Sequence, residues 1–459
     1  MALKFLTNIQ IPFIAKLFSG HDRTVRTKKN IGAMVVLKGI SIATGFLLVP
    51  LTLHYLNATN YGIWLTLSSI IGWFSFFDIG LGNGLRNKFA EALANQDVPL
   101  AQVYVSTTYF FLCIIIGILF VLFVSLNTFL DWARILNARG SSSENLNLVV
   151  FITFTFFCLR FILGLIGTIL IADQKPAMNS LLDVSGNLLS LIIIFLLVNY
   201  TAGSLVYLSF ALGISTTLVL LIASLWLFFG AYKHIRPLWS QVKIGYAREL
   251  MTLGVRFFIL QIGAIIVFST SNILITQLFT PADVVPYNIA FKYYNLISMF
   301  FAIILTPFWS AYTEAYAKGD VPWIQNTLAA LKKAWLIAAI AVLLMSFFAD
   351  TFYHIWIGKS VTIPLGISIS MGAYVLISAW CNIFVNFING TGKIQLQVFT
   401  GIIISVLNIP LAILFVKLFH WGVPGIILAP CACLVPLCFL WPIQVKRILS
   451  GTARGIWAK

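Results

Sequence analysis

"EALANQDVPLAQ", residues 91–102, is a polar connector between two long apolar stretches, and "EAYAKGDVPWIQ", residues 314–325, is a second copy of it. Both copies follow the pattern E-A-x-A-x-x-D-V-P-x-x-Q, at an offset of 223 residues (314 − 91). The apolar stretches of the chain form two groups of six, and in each group two stretches precede the connector and four follow it. Because connectors are free to diverge, this repetition indicates that the chain consists of two related halves.

The composition predicts a protein that spans a membrane. The chain has 459 residues, of which 60% are hydrophobic and 9% are charged, whereas soluble domains are about 25% charged. A helix needs about 20 apolar residues to cross a bilayer, and twelve stretches have about this length: residues 31–55, 61–81, 103–126, 148–172, 179–198, 203–229, 252–279, 284–308, 329–348, 364–388, 396–419 and 423–443. We therefore expect an all-α, polytopic membrane protein with about 12 transmembrane helices in two six-helix bundles related by a pseudo-two-fold repeat.

The distribution of lysine and arginine predicts the orientation. An even number of spans places both termini on one side, and that side carries 21 lysines and arginines against four on the other. The positive-inside rule places both termini in the cytoplasm. The net charge of +16 is mostly this bias. No clustered phosphate-binding or base-stacking residues occur on a soluble face, so we expect no nucleic-acid partner.

The repeat also sets the expected domain boundaries. Residues 1–30 form a cytoplasmic N-terminal segment, residues 31–235 an N-lobe of six transmembrane helices, residues 236–445 a C-lobe of six, and residues 446–459 a cytoplasmic tail. Because each lobe has an even number of helices, the two lobes have the same orientation across the membrane, as parallel repeats do.

The repeated connector contains residues typical of helix ends. Gly319 can end one helix, and Asp97 or Asp320 can cap the next, whose first turn tolerates a proline. Two interpretations remain open for Glu91 and Glu314, which lie on polar helical extensions. They belong to a turn preserved by duplication, or they form a cytoplasmic gate through polar contacts between the lobes.

Charged side chains inside the predicted spans are the main functional signal. The four candidate cations within the spans are Lys38, Arg160, Arg256 and Lys292. Each costs about 2.5–3.5 kcal/mol at the centre of a helix. Only Asp78 and Asp183 lie at comparable depth, which leaves an interior surplus of roughly two positive charges.

The depths of these cations differ. Arg160 lies about 18 Å into its span and Lys292 about 12 Å, at 1.5 Å per residue. Asn288, Lys292 and Asn295 follow the i, i+4, i+7 spacing, which gives their helix a polar face. Lys38 lies about 10 Å deep, whereas Arg256 is close to the cytoplasmic end, where its side chain can reach the lipid headgroups.

Two interpretations of the cations remain open. They reach the headgroups or form internal ion pairs, or they line an anion site in a cavity. One charge pair at 4 Å is worth about 4 kcal/mol at an effective dielectric constant of 20, so a diphosphate ligand can offset the burial of two cations. Such a cavity would repel cationic drugs.

Uncharged polar side chains follow two other spans. Ser269, Asn272 and Thr276 share a face of the seventh span, and the tenth span carries four residues that step by four: Tyr374, Ser378, Asn382 and Asn386. Such stripes suit either a hydroxyl-rich ligand or hydrogen bonds between helices.

The sequence carries no recognisable enzyme or cofactor motif. All six cysteines lie in apolar stretches, where packing is the expected role. The five histidines are scattered, and no nucleophile–base, phosphate-loop or zinc pattern occurs. We therefore expect a transporter rather than an enzyme, with no cofactor. A proton or sodium gradient remains an open possibility as the driving force.

Several segments resemble a known family. "FFDIGLGNGLRNK", residues 76–88, and the segments around it resemble the N-terminal half of bacterial O-antigen repeat-unit flippases of the Wzx type. "STSNILITQLF", "PYNIAFKYYNLISMFF", "TPFWSAYTEAYAKGD" and "NGTGKIQLQ" resemble their second half. The resemblance covers nearly all of the chain after residue 25. It implies membership of the multidrug/oligosaccharidyl-lipid/polysaccharide exporter superfamily, with two six-helix bundles around a central cavity.

The resemblance also implies a function. The expected cargo is a polyprenyl-diphosphate-linked oligosaccharide, moved by alternating access from the cytoplasmic to the periplasmic leaflet of the bacterial inner membrane. Substrate contact is then expected at Arg160, Lys292 and Lys38, with less weight on Arg256, and on the polar face that includes Asn288 and Asn295. Asp78 lies within the matching motif and pairs with a cation or marks the inner gate.

Two alternatives remain at this point. One is a small-molecule antiporter of the same superfamily. The other is a non-transporting scaffold for glycan assembly. The expected partners are the lipid-linked glycan and the lipid bilayer, together with polysaccharide polymerase and glycosyltransferases.

Overall fold

The computed structural model describes residues 22–74, 81–138, 145–247 and 270–458, and all regular structure among them is helical. This confirms the expected all-α class. The helices are α1 Asp22–Tyr55, α2 Ala58–Trp73, α3 Leu81–Ala94, α4 Val98–Asn127, α5 Trp132–Ile135, α6 Leu146–Leu163, α7 Leu165–Ala172, α8 Pro176–Tyr200, α9 Leu205–Phe229, α10 Thr270–Leu278, α11 Val284–Ala317, α12 Val321–Phe347, α13 Ala349–Ile357, α14 Leu365–Thr391, α15 Gln395–Lys417 and α16 Val423–Leu449.

Nine stretches in the described part of the chain are helical, long and apolar enough to cross a membrane, which makes this a multi-pass membrane protein. The other three of the twelve predicted spans, the second, the seventh and the eighth, are not among these nine. The second corresponds to α2, which has only 16 residues. The eighth corresponds to α11, which has 34. Most of the seventh, over residues 248–269, lies outside the described residues.

The two copies of the repeated connector fold into the same turn. Asp97 Oδ1 accepts a hydrogen bond from the Leu100 amide at 2.9 Å, and Asp320 Oδ1 accepts one from the Trp323 amide at 3.1 Å. The residue before each aspartate has a positive φ, 59° at Gln96 and 71° at Gly319. The predicted caps are thus confirmed, because both copies reverse the chain with the same hydrogen bonds.

The fourth predicted span is two helices rather than one. α6 ends at Leu163 and α7 begins at Leu165, with Gly164 between them. The Gly167 amide donates to the Gly164 carbonyl, a three-residue spacing that interrupts the regular α-helical ladder. Arg160 therefore lies in the last turn of α6, where the helix dipole favours a cation.

The chain divides into two compact units. Unit 1 consists of Met1–Tyr55, Phe77–Leu130 and Asn147–Phe257, and unit 2 of Leu56–Phe76, Asp131–Leu146 and Phe258–Lys459. α2 and α5 belong to unit 2. The lobe boundaries, 31–235 and 236–445, therefore stay a prediction about the sequence repeat.

In unit 1, α8 packs against α1 and α9, and a polar cluster lies at one end of these helices. The Tyr232 hydroxyl donates to Asp173 Oδ2 at 2.7 Å, and the Lys175 ammonium lies 2.6 Å from the same carboxylate oxygen. Lys175 also lies over the Tyr232 ring at 5.0 Å. Burial, and then the bond to Asp173, raise the pKa of the Tyr232 phenol above its usual value. The cluster ties the segment after α9 to the α7–α8 loop.

Unit 2 has a hydrophobic core between α11, α12, α14 and α16, which includes Tyr312, Phe384 and Phe387. Two side-chain hydrogen bonds also connect these helices. Trp335 Nε1 donates to the Leu376 carbonyl at 2.9 Å, and Trp380 Nε1 donates to the Cys438 carbonyl at 3.1 Å. Both bonds satisfy indole donors in the interior.

Candidate functional site

The pocket of unit 1 is built from four helices. It has a volume of about 270 Å³ and is lined by Ser41 of α1, Arg160 of α6, Leu182, Asp183, Gly186 and Asn187 of α8, and Thr216 and Leu220 of α9. Gly186 allows the close approach of the last two helices, because a Cβ at this position would lie 3.2 Å from the Thr216 methyl group. Asn187 Nδ2 donates to Ser41 Oγ at 3.3 Å, which links α1 to α8 across the pocket.

Positive charges outnumber negative charges among the ionisable groups named around this pocket. Arg160 and Asp183 both line it, and the positive charges of Arg160 and Lys38 both act on the Asp183 carboxylate. Lys38 lies three residues before Ser41, on the same face of α1. Two cations and one carboxylate give the group a net charge of +1. This arrangement can attract an anion while the carboxylate offsets part of the cost of burying the cations.

The structure brings together some of the predicted site residues. Lys38 and Arg160 act on the same carboxylate in unit 1, and both side chains are exposed in the isolated chain. Lys292 is in unit 2, on α11, and its side chain is half-buried. Its part in an anion site stays a prediction, as does that of Asn295, which lies on the same helix.

Asn288 takes part in a hydrogen-bond network within unit 2. Its Nδ2 donates to Asn272 Oδ1 and to the Val284 carbonyl, both at 2.9 Å. Asn272 Nδ2 in turn donates to Ser69 Oγ at 2.7 Å, and this bond joins α10 to α2. The network shows that Asn288 connects helices, and contact between Asn288 and a substrate stays a prediction.

The polar stripe of the seventh span has the same connecting role. Thr66 of α2 and Thr276 of α10 are both fully buried, and their hydroxyl oxygens lie 2.6 Å apart. Together with Asn272, these contacts support the interpretation of this stripe as a set of interhelical hydrogen bonds. Ser269 lies outside the described residues.

The predicted gate residues are only partly described. Glu91 is exposed on α3 and pairs with Lys88 at 3.1 Å, a surface pair of little energetic weight. Glu314 lies on α11, and its side chain is outside the described part of the structure. Asp78 and Arg256 also lie outside the described residues. The gate therefore stays a prediction.

Four polar residues of the pocket were not among the predicted site residues: Asp183, Asn187, Thr216 and Ser41. A signal for the first two exists in the sequence, since Asp183, Gly186 and Asn187 follow the i, i+3, i+4 spacing of one helix face. In the described part of the chain, no three histidine, cysteine or acidic residues lie close enough to hold a metal ion.

The fold is that of a known superfamily of transporters. A multidrug resistance MATE family transporter of the MOP superfamily, in an inward-facing conformation, has a TM-score of 0.73 with this chain at 14% identity, over 92% of this chain and 100% of that one. The outward-facing conformation of such a transporter has a TM-score of 0.63 at 14% identity, over 95% and 98%. At these identities the similarity concerns the fold alone.

Sequence comparisons give the family. The chain is 24% identical, over 78% of its own length and 81% of the relative's, to a Yersinia pseudotuberculosis protein named as an O-antigen export protein. It is 22% identical, over 76% and 79%, to a Salmonella typhimurium protein named as an O-antigen transporter. The sequence model of the family described as "Polysaccharide biosynthesis protein" matches residues 27–312. The chain therefore belongs to the polysaccharide biosynthesis protein family.

Proposed function

We propose that this protein is a flippase that moves a polyprenyl-diphosphate-linked oligosaccharide from the cytoplasmic to the periplasmic leaflet of the inner membrane. The cargo belongs to the biosynthesis of O-antigen or a related surface polysaccharide. The names of the Yersinia and Salmonella relatives support a transport role. The observation that carries the diphosphate assignment is the pocket of unit 1, which Arg160 and Asp183 line, with the positive charges of Arg160 and Lys38 both acting on the Asp183 carboxylate.

The charge balance of this pocket suits a diphosphate. Placing a cation inside a membrane helix costs about 2.5–3.5 kcal/mol, so a cation beyond those balanced by carboxylates calls for an anionic ligand. A guanidinium group can bind two phosphate oxygens in parallel. In the proposed complex Arg160 holds the diphosphate, Lys38 adds a second charge, and Asn187 and Ser41 offer hydrogen bonds from the pocket wall.

Asp183 has a separate role in this mechanism. A carboxylate beside the two cations stabilises them while the pocket is empty. It also weakens the grip on the diphosphate, because like charges repel. Release into the opposite leaflet needs such a limit on affinity, since a carrier that binds its cargo too tightly turns over slowly.

The orientation belongs to the same proposal. The excess of lysine and arginine in the connectors supports cytoplasmic termini. The diphosphate and sugars then cross through the protein by alternating access while the polyprenyl chain stays in lipid. Glycosyltransferases would supply the cargo, and a polysaccharide polymerase would consume it in the periplasm.

Reconstitution tests this function. The protein is placed in vesicles with a polyprenyl-diphosphate-linked oligosaccharide, and the fraction of glycan that becomes accessible on the far side is followed with time. We expect flipping by the wild-type protein and a loss of at least tenfold in Arg160→Ala, which corresponds to about 1.4 kcal/mol or more. Arg134→Ala is the matched control, because this exposed arginine lies outside the pocket.

The alternatives give different results in the same assay. A scaffold protein would leave the glycan in its original leaflet, although cells would still need the scaffold protein to make surface polysaccharide. An antiporter for small molecules would move a small solute and leave the lipid-linked glycan in place. Wild-type flipping rates in Arg160→Ala would contradict the diphosphate assignment without excluding a flippase.

A further inference from the structure

A second cavity lies entirely within unit 2. Its volume is about 290 Å³, and it is lined by Ser298, Phe301, Ala302 and Leu305 of α11 and by Ala379, Asn382 and Asn386 of α14. Among the described lining residues, none is ionisable. The cavity therefore differs in chemistry from the charged pocket of unit 1, although the two have similar volumes.

The polar groups of this cavity are suited to hydroxyl ligands. Each asparagine amide offers two donors and a carbonyl acceptor. Asn386 uses one donor on the Asn382 carbonyl, at 3.2 Å, which leaves its second donor and its carbonyl oxygen. Asn382 is exposed, and Asn386 is half-buried. Phe301, only 4% exposed, supplies an apolar wall. A few polar groups on an otherwise apolar wall are typical of small-molecule sites.

The internal repeat relates this cavity to the arginine of unit 1. The α7–α8 loop has a positive φ at Gln174 followed by Lys175, and the α14–α15 loop has a positive φ at Gly392 followed by Lys393. Each lysine lies over a tyrosine ring, at 5.0 Å and 5.1 Å. Aligning the two loops gives an offset of 218 residues (393 − 175), five fewer than the 223 of the connectors, because the second half is five residues shorter between the connector and this loop.

This offset places neutral residues where unit 1 has an arginine. In unit 1, Arg160 lies in the last turn of α6, Gly164 lies at the break and Thr168 lies in α7. The equivalent positions along α14 are Ser378, Asn382 and Asn386. One position of the repeat thus provides a guanidinium group in unit 1 and a hydroxyl group in unit 2, and the next two positions in unit 2 provide amides.

We propose that the cavity between α11 and α14 binds a neutral, hydroxyl-rich sugar residue of the glycan. This inference rests on the proposed function and assigns the two parts of the cargo to different units. The charged pocket of unit 1 takes the diphosphate, and the amides of unit 2 select among sugars. An anionic group gains no ion pair from the described lining of this cavity, which contains no cation.

The test compares two cargoes. One lipid diphosphate carries only the first sugar, and the other carries the complete repeat unit. Flipping of both is measured in vesicles for the wild-type protein, Asn382→Leu and Asn386→Leu, because leucine has the branched shape of asparagine with the same number of side-chain heavy atoms and makes no hydrogen bonds. Asn199→Leu is the matched control, since Asn199 is exposed on α8 and also donates to the carbonyl four residues earlier.

We expect each cavity variant to lower flipping of the complete unit by about tenfold, as loss of one or two hydrogen bonds does. Flipping of the single-sugar lipid should stay within twofold of the wild type, and Asn199→Leu should match the wild type with both cargoes. Arg160→Ala should lower flipping of both cargoes. Equilibrium binding of the complete unit to the detergent-solubilised, monodisperse variants is the second readout, and it should weaken by a similar factor.

Three results would overturn the inference. Wild-type flipping and binding of the complete unit in both cavity variants would show that the amides do not contact sugar. Equal losses with both cargoes would show that these residues serve the fold or the transport cycle instead. Failure of the wild-type protein to flip either cargo would remove the proposed function, and this inference with it.

Discussion

Gly62 offers a sharp test of the packing in unit 2. A Cβ atom at this position would lie 1.7 Å from the Pro281 carbonyl oxygen and 2.4 Å from the Pro281 carbonyl carbon. Cβ contacts under 3.0 Å are essentially never found, so Gly62→Ala requires a shift of at least 1.3 Å (3.0 − 1.7). The turn cannot yield easily, because Thr280 and Asp283 hold it through a reciprocal capping box.

Gly72, on the same helix, provides the matched control. A Cβ at Gly72 would meet nothing within 4 Å. Both substitutions gain about 1 kcal/mol from helix propensity, and this gain cancels when the two variants are compared. The difference between them is therefore the overpacking cost, about 1–3 kcal/mol.

The assay is thermal unfolding of the detergent-solubilised protein, followed by intrinsic fluorescence and by size-exclusion chromatography after heating. We expect the apparent Tm of Gly62→Ala to lie roughly 2–12 °C below that of Gly72→Ala. Equal stability of the two variants would refute the close approach of α2 to the Pro281 turn.

Two further predictions concern the ends and the core of the units. Tyr232→Phe removes the bond to Asp173, and thermal unfolding should show a loss of about 1–2 kcal/mol. The pKa of Tyr232 is raised above the unfolded value of about 10, so this contribution to stability should be complete below pH 10 and should disappear as the pH rises further. An unchanged Tm in Tyr232→Phe at pH 7 would contradict the hydrogen bond between Tyr232 and Asp173. In the core, the sulfur atoms of Cys381 and Cys438 lie 3.6 Å apart, so a membrane-permeable oxidant should join α14 to α16 by a disulfide. Peptide mass spectrometry detects the bond, and its absence in the oxidised wild-type protein would contradict this helix pairing.

Much of the architecture could be predicted from the sequence because the bilayer imposes simple rules. Apolar length predicts spans, and nine helical stretches in the described residues satisfy the membrane-crossing criterion. The N-caps of α4 and α12 could be predicted from the repeated connector, because a helix start depends on local residues such as Asp97 and Asp320.

Contacts between helices could not be predicted in this way. The polar residues Asn272 and Thr276 suited either a ligand or neighbouring helices, since apolar periodicity does not show which helix lies opposite. The structure gives them partners on α2, Ser69 and Thr66. The break at Gly164 was also missed, because a single glycine within an apolar stretch is compatible with a continuous helix.

The pocket of unit 1 was predicted only in part. Arg160 and Lys38 were identified because placing a cation in an apolar span costs free energy, whichever direction its side chain takes. Asp183 was noted only as a buried acid, since its spacing along the chain does not show which cation it faces. Only the packing of α1, α6 and α8 places both cations near this carboxylate.

The central claim is that the positive charge of the unit 1 pocket binds the diphosphate of the cargo. The most direct test is the Kd of the purified wild-type protein and of Arg160→Ala for a polyprenyl-diphosphate-linked oligosaccharide and for the same glycan on an uncharged lipid. We predict that the wild-type protein prefers the diphosphate cargo at least tenfold and that Arg160→Ala loses this preference. Equal affinity of the wild-type protein for both cargoes, or an undiminished preference in Arg160→Ala, would contradict the claim.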